Sequence, residues 1–308
     1  MTAQRAIGID TGGTKILAGA VDREGAVVRR DERRTPVSSQ EELLAQLDDV
    51  VETLLDDDIV ALGFGLPSTI DQLAGRAVSS VHIPLADLDF RDRMAERFRL
   101  PVAIDNDGNA AAIAEWQLGA GRGASNVVLL TLGTGIGGGL ILDGRPYRGS
   151  VGAAAELGHM VLEYGGPACG GGCSGFGHFE AFASGRCADD AARRRFGNGT
   201  AHTLVEAAKD GDAGAKEDIA NIGRFLGAGI ASLVNIFNPE IVVLGGGFSE
   251  AGDLLLEPAR ETLAREALKP ARDLVQVKWA ELGSNAGMVG AALVGFEGLD
   301  QGGHVAPG

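Results

Sequence analysis

The stretch Ala6-Ile7-Gly8-Ile9-Asp10-Thr11-Gly12-Gly13-Thr14-Lys15-Ile16-Leu17-Ala18-Gly19-Ala20-Val21 decides how the chain is read. Ala6–Ile9 is a short apolar run with strand character, and Asp10–Lys15 is a tight polar turn. Ile16–Val21 resumes as a strand, and Gly25 turns the chain again before Ala26-Val27-Val28. The glycine turn therefore joins strand to strand. A Walker A loop needs GxxxxGK[ST] running into a helix, so that reading is excluded. Two readings of the turn stay open: an ordinary hairpin, or one whose backbone N–H groups hold phosphate oxygens.

The pattern returns downstream. Asn126–Leu132 reads as a strand, Gly133-Thr134-Gly135-Ile136-Gly137-Gly138-Gly139 as a turn, and Leu140-Ile141-Leu142 as a second strand. Gly133-x-Gly135 is no dinucleotide fingerprint, because a strand follows it instead of a helix. Two such hairpins predict two similar lobes, each offering a phosphate loop to a shared cleft. The repeat is one of architecture, without close self-similarity of sequence.

Between the hairpins, Leu43, Leu44, Leu47, Val50, Val51, Leu54 and Leu55 predict an amphipathic helix over Glu41–Leu55. Ile59–Leu66 predicts a strand, and the turn Gly65–Thr69 lies at its C-terminal end, where open α/β sheets bind ligands. Val102–Ile104 predicts another strand and Ala110–Leu118 a helix, separated by Asp105-Asn106-Asp107-Gly108-Asn109. Asp107 thus falls at or just before a helix N-terminus, where the helix dipole favours a carboxylate. A capping aspartate explains one such residue; four polar side chains in five residues exceed what a cap requires.

Further on, residues 186–194 and 202–213 read as helical. Asp218–Phe237 is a long helix with a broad apolar face, stopped by Asn238-Pro239. Glu240–Leu244 is a buried strand, Gly245–Gly247 a third glycine turn and Glu257–Leu268 a helix. Val275–Trp279 is a strand, Ala286–Phe296 a helix of small residues, and the Gly-rich tail Leu299–Gly308 is expected to be disordered.

The 308 residues suffice for one large domain or two lobes. A hydrophobic share of 45% and a charged share of 22% fit a globular protein. No apolar run of membrane-spanning length and no apolar leader are read, so a cytoplasmic protein without a membrane partner is expected. The net charge of −15 argues against nucleic acid, which needs a basic face. It does not argue against ATP, which local N–H groups and a metal can hold.

Three cysteines suit a reducing compartment. Cys187 stands apart as a plain thiol. Cys169 and Cys173 lie in a glycine loop after Glu156-Leu157-Gly158-His159 and before His178 and Glu180. This grouping of carboxylates, imidazoles and thiols suits one metal and one polyhydroxylated ligand. A metal-free loop with incidental cysteines is the competing reading.

Taken together, these motifs resemble the ROK family of sugar kinases and repressors, within the actin/hexokinase superfold. The resemblance rests on Ile9-Asp10-x-Gly12-Gly13-Thr14-Lys15, Asp105-Asn106-Asp107-x-Asn109-Ala110, Leu132-Gly133-Thr134-Gly135-Ile136-Gly137, Glu156-x-Gly158-His159, the Cys loop, and Val243-Leu244-Gly245-Gly246-Gly247, in this order. It implies an α/β, two-lobed actin-like ATPase (ribonuclease H-like) fold with a central cleft. The expected lobes are residues 1–117 with a returning helix at about 286–308, and residues 118–285.

The resemblance also implies roles. Asp107 matches the catalytic base and Asn106 a sugar-binding amide, while Glu156, His159 and Glu180 match groups that bind sugar hydroxyls. Asp10, Gly12, Gly13, Thr14 and Lys15, with Gly133, Thr134 and Gly135, match the phosphate hairpins. Gly245 and Gly246 lie where adenosine is held, and Asp10 is expected to hold Mg2+ through water. His159 is also a zinc ligand in the family, and the resemblance implies that His159, Cys169, Cys173 and His178 form a four-ligand Cys2His2 set for zinc. The zinc loop departs from the usual C-x-C-G-x-x-G-C-x-E, since His178 takes the place of its third cysteine and Gly171 that of its first. The turn after Pro67 departs too, with Ser68 where the family commonly has glycine, and this loop borders the sugar site.

The implied activity is ATP-dependent phosphorylation of a hexose, glucose first, with structural Zn2+ and a homodimeric or homotetrameric assembly. Fructose, an N-acetylhexosamine, polyphosphate as donor, or a non-catalytic sugar sensor are the alternatives. Family repressors carry a DNA-binding module ahead of the first strand; only six residues precede Ile7 here.

Overall fold

The hairpin that opens the chain is formed by β1 (Arg5–Thr11) and β2 (Lys15–Asp22), antiparallel, with Ile9 opposite Ala18 and Thr11 opposite Ile16. The computed structural model describes residues 4–302. β3 (Val27–Arg34) runs well past the three residues expected of it. Its sequence, Val-Val-Arg-Arg-Asp-Glu-Arg-Arg, hides the strand because β3 is an edge, paired among the described residues with β2 alone and largely exposed. Charged side chains on such an edge discourage pairing with another chain.

α1 (Gln40–Leu54) follows, capped by the Ser39 side chain, which accepts from Glu42 N. Leu43, Leu47, Val50, Val51 and Leu54 are its buried face. β4 (Ile59–Leu66) lies parallel to β1. Then come β5 (Thr69–Asp71), β6 (Arg76–Ser79) and α2 (Phe90–Phe98), none of which shows a clear period in the sequence. β7 (Val102–Asn106) pairs parallel to β4 and runs directly into α3 (Asp107–Leu118). The sheet order is β3-β2-β1-β4-β7.

A second sheet begins with β8 (Val127–Leu132), β9 (Ile136–Leu142) and β10 (Arg145–Pro146). β9 starts at Ile136, not at Leu140. Gly137, Gly138 and Gly139 are strand residues opposite Thr131, Leu130 and Leu129, so the turn is only Gly133-Thr134-Gly135. A glycine-rich run looks like loop, yet Gly137 has to be small, because a Cβ there would lie 2.5 Å from Thr131 Oγ1.

After the small hairpin of β11 (Ala168–Gly170) and β12 (Cys173–Phe176) come α4 (Glu180–Ala183), α5 (Gly185–Phe196) and α6 (Ala201–Lys209). α7 (Ala213–Phe237) starts earlier than expected because Asp212 caps it, accepting from Ala215 N. β13 (Ile241–Gly245) follows, then α8 (Asp253–Glu266), which also starts early and carries Pro258 inside it. α9 (Ala271–Leu274) and β14 (Gln276–Trp279) complete this part, with sheet order β10-β9-β8-β13-β14. Position for position, this order repeats that of the first sheet.

By length and composition alone α7 is apolar enough to cross a membrane. Its apolar side is taken up inside the protein: Gly223 and Gly227 lie against the backbone of α8, near Leu255 O and Ala259 O.

The C-terminal helix (Ala286–Asp300) reaches past the Leu299 expected to start a disordered tail; residues 303–308 of that tail lie outside the described residues. The helix is small-residued because it lies backbone to backbone on the first sheet and on α3. A Cβ on Gly63 would sit 1.7 Å from Ala291 O, and one on Gly290 1.8 Å from Ala110 O. By contacts the chain forms two compact units. One comprises the described part of Met1–Arg122, Pro146–Ala155 and Ser284–Gly308, the other Gly123–Arg145 and Glu156–Gly283.

Candidate active site and metal centre

In the first unit the C-terminal ends of three parallel strands line up. Asp10 of β1 stands in register with Gly65 of β4, and Gly65 with Asp105 of β7. This is the end of a parallel sheet where ligands collect. Gly65 contributes no side chain, and the backbone at Asp107 passes 3.6 Å from where its Cβ would be.

The cap of α3 is Asn106. Its Oδ1 accepts from Gly108 N at 2.9 Å and Asn109 N at 3.3 Å. Capping thus falls to Asn106, leaving its Nδ2 as the part of the amide that can meet a ligand, and Asp107 becomes the first residue of the helix. Asp107 Oδ1 accepts from Gly108 N at 2.9 Å. Desolvation raises its pKa above the usual carboxylate value; the Gly108 hydrogen bond and His82 oppose the rise. Desolvation, with Asp107 as a like charge, pushes Asp10 up to about 7, while Lys15 pulls it down. Gly287, in the first turn of the C-terminal helix, makes room for Asp10, since a Cβ there would lie 2.4 Å from Oδ2.

The β1–β2 turn is braced from both sides. Gly12 N donates to Lys15 O at 2.9 Å, Thr35 Oγ1 to Gly12 O at 2.6 Å and Thr35 N to Thr14 O at 3.0 Å. Gly13 faces His82 O, and the exposed Lys15 pairs with Glu32 at 3.5 Å. Ser68 is buried, and its Oγ donates to Ser79 O at 2.7 Å. The side chain thus ties the turn after Pro67 to the end of β6.

In the second unit the β8–β9 turn is closed by Gly133 N donating to Gly135 O at 3.0 Å. Gly133 O accepts from Gly185 N at 2.8 Å, bringing the start of α5 against the turn. Gly246 has φ +88° and packs on the Leu132 backbone, where a Cβ would come within 2.5 Å. Gly245 ends β13. Glu156 precedes a 3-10 turn, Leu157–His159, and Ala155 before it holds the left-handed φ of 68°. Gly158 has to be glycine, because its Cβ would lie 2.2 Å from Ile136 O. Glu180 reaches the same strand: its Oε2 accepts from Ile136 N at 3.1 Å, and its Oε1 accepts from Cys169 Sγ at 2.9 Å.

His159, Cys169, Cys173 and His178 converge, with one ligand atom from each lying within 4.8 Å of all the others. His159 Nδ1 is 3.2 Å from His178 Nδ1; Cys169 Sγ is 3.6 Å from His159 Nδ1, and Cys173 Sγ 3.6 Å from His178 Nδ1. A tetrahedral zinc with ordinary Zn–N and Zn–S bonds has edges of about 3.3 Å between nitrogens and about 3.6 Å between nitrogen and sulfur. The donor set and its spacing therefore fit zinc. Desolvation and Glu180 raise the Cys169 pKa, so holding a thiolate there calls for a cation. Cys187 lies outside the cluster and donates to Ala181 O at 2.9 Å.

Sequence reasoning gave no role to His82, Gln72 or Arg148, and none to Asp105 beyond its place in a motif. The density of polar residues in 105–109 was the one signal, and it pointed only to Asp105.

The ROK family model matches residues 6–295. The chain belongs to the ROK family. It is 35% identical to the glucokinase of Streptomyces coelicolor, over 93% of this chain and 96% of that protein. It is also 30% identical to the xylose repressor of Caldicellulosiruptor bescii, over 83% of this chain and 69% of the repressor. Among solved structures it is similar to a ROK family glucokinase from Streptomyces griseus in complex with glucose and AMPPNP. The TM-score is 0.85 at 34% identity, covering 95% of this chain and 99% of that one. These likenesses support a sugar kinase of the ROK family with an actin-like ATPase fold.

Proposed function

We propose that this chain is an ATP-dependent hexose kinase that converts glucose to glucose 6-phosphate. The observation carrying most weight is Asp107, a desolvated carboxylate at the head of α3 whose raised pKa suits a general base. In this reading the sugar hydroxyl oxygen bonds to the γ-phosphorus, the bond from that phosphorus to ADP breaks, and Asp107 takes the hydroxyl proton. Asn106, Glu156 and the Nε2 of His159 hold other hydroxyls, so that one oxygen faces the base. Glu180 first holds the β8–β9 turn, and its remaining acceptor capacity serves the sugar.

Backbone N–H groups of Gly12–Lys15 and Gly133–Gly135 donate to the phosphates, with Gly245 and Gly246 beside the adenosine. Asp10 is the carboxylate suited to Mg2+, which offsets charge on the phosphates when it arrives with ATP. His159, Cys169, Cys173 and His178 would hold zinc, which there supplies a rigid cross-link and no chemistry. Glucose is favoured because the glucokinase relatives match along nearly their whole length. A homodimer in the cytoplasm completes the proposal.

A coupled assay of ADP release over a panel of hexoses, with ATP and with polyphosphate, tests it. Phosphorylation of glucose with ATP at the highest kcat/KM is expected. No turnover of any hexose with either donor overturns the kinase reading, and a preference for another hexose overturns glucose.

A further inference from the structure

We propose that Asp105 and Arg148 form a positioning pair that clamps the turn carrying Asn106 and Asp107, and that hexose phosphorylation depends on it. This rests on the kinase reading above.

Asp105 is fully buried at the end of β7. Four donors converge on its carboxylate. Oδ1 accepts from Asn106 N at 2.8 Å, Asn109 Nδ2 at 3.1 Å and Gln72 Nε2 at 3.1 Å, while Oδ2 accepts from Arg148 Nε at 2.7 Å. Two of these, from Asn106 and Asn109, straddle Asp107 and pin the first turn of α3 on either side of it. A buried carboxylate holds such a set firmly only while it is charged, and a buried charge needs a partner. Desolvation raises the Asp105 pKa, and Arg148 is the largest influence opposing that rise. Arg148 is thus what keeps Asp105 an acceptor for all four donors.

The arrangement is more than a stabilising ion pair. Arg148 also reaches Glu297 Oε2 at 3.1 Å, a carboxylate on the C-terminal helix that is far more exposed than Asp105. If anchoring that helix were its task, the Glu297 contact would matter as much. The guanidinium also borders a cavity of about 300 Å³, together with Gln72, Arg91, Ile104, Glu297 and Gln301. Removing the Arg148 side chain therefore opens a path from that cavity to the Asp105 carboxylate that a small cation can take.

The test is chemical rescue. Arg148→Ala is expected to lower kcat roughly 10- to 100-fold, the scale of a small misplacement of a reacting group, with the KM values for sugar and ATP changed less than about threefold. Millimolar guanidinium should restore part of kcat in Arg148→Ala and none in Asp105→Asn. Glu297→Gln should stay within about twofold of the wild type, and the double variant Asp105→Asn with Arg148→Ala should be no worse than the worse single one. Should Arg148→Ala fail to fold, Arg148→Lys carries the test, with kcat falling while both KM values hold.

Full activity in Arg148→Ala, equal loss in Glu297→Gln, or loss confined to melting temperature and KM would overturn the proposal. Absence of turnover in the wild type is a failure of the kinase reading instead. In that case amide hydrogen exchange still tests the clamp: the Gly108 and Asn109 amides should exchange faster in Arg148→Ala, and unchanged protection refutes it.

Discussion

Asp10 and Asp105 stand two strands apart in one register line, with Gly65 between them. The two carboxylates have opposite surroundings. Asp105 is given a cation and three further donors, whereas Asp10 is given desolvation and the like charge of Asp107. The first is held as structure; the second, in the proposed kinase, is the carboxylate that would take Mg2+.

That difference predicts a stability cost at Asp10. Its folded pKa of about 7 lies above the ordinary aspartate value of 3.8, so the folded state binds the proton more tightly than the unfolded chain. Stability from this group is therefore full below the unfolded pKa and is lost as pH rises to the folded one. Asp10→Asn should thus stabilise the protein, and its advantage over the wild type should grow by roughly 2 kcal/mol between pH 5.5 and pH 8.5. Thermal or urea melts of both proteins at the two pH values check this. A constant or shrinking difference would contradict it. The same variant should lose phosphoryl transfer.

Asp107→Asn should lower kcat by about 10²- to 10⁴-fold, the usual contribution of a general base, while the sugar still binds. Because the Asp107 pKa is raised, the acid limb of kcat/KM in the wild type should lie above the ordinary carboxylate range and lose one ionisation in the variant, leaving that of Asp10. Steady-state kinetics with sugar binding by calorimetry read both. Near-normal turnover in Asp107→Asn would remove the base assignment.

The Cys/His cluster should carry one zinc per chain by elemental analysis. Its removal with a chelator should lower the melting temperature by about 5 °C or more and raise the sugar KM, since His159 and the Glu180 contacts share the loop. Cys173→Ser should behave like the chelated protein. Unchanged melting and kinetics after metal removal would argue that the loop stands on its own hydrogen bonds.

Gly63→Ala should be among the costlier single-methyl additions in the chain, at roughly 3 kcal/mol or more, because the new Cβ meets the Ala291 carbonyl and not a side chain that can turn aside. Denaturant melts measure it. Stability close to wild type would mean that the C-terminal helix can move off the sheet.

Two glycine hairpins with strands on both sides, a polar cluster at a strand–helix junction and a Cys/His loop were legible from residue order alone. They sufficed for the family and the fold class, and they named the residues of the candidate site, because tight turns, caps and soft ligands demand particular residue types at short spacing. The edge strand β3, the glycine-rich start of β9, the early start of α7 and the hairpin of β5 and β6 were not legible. In each, pairing or packing with distant residues outweighs local preference.

The same limit separates the roles of the acidic residues. Sequence placed Asp10, Asp105 and Asp107 near turns and helix ends. Only the fold decided that Arg148 partners Asp105, that Asn106 and not Asp107 caps α3, and that Ser68 turns inward to Ser79. Charge state and orientation depend on which groups are desolvated together, and that is fixed by contacts between residues far apart in the chain.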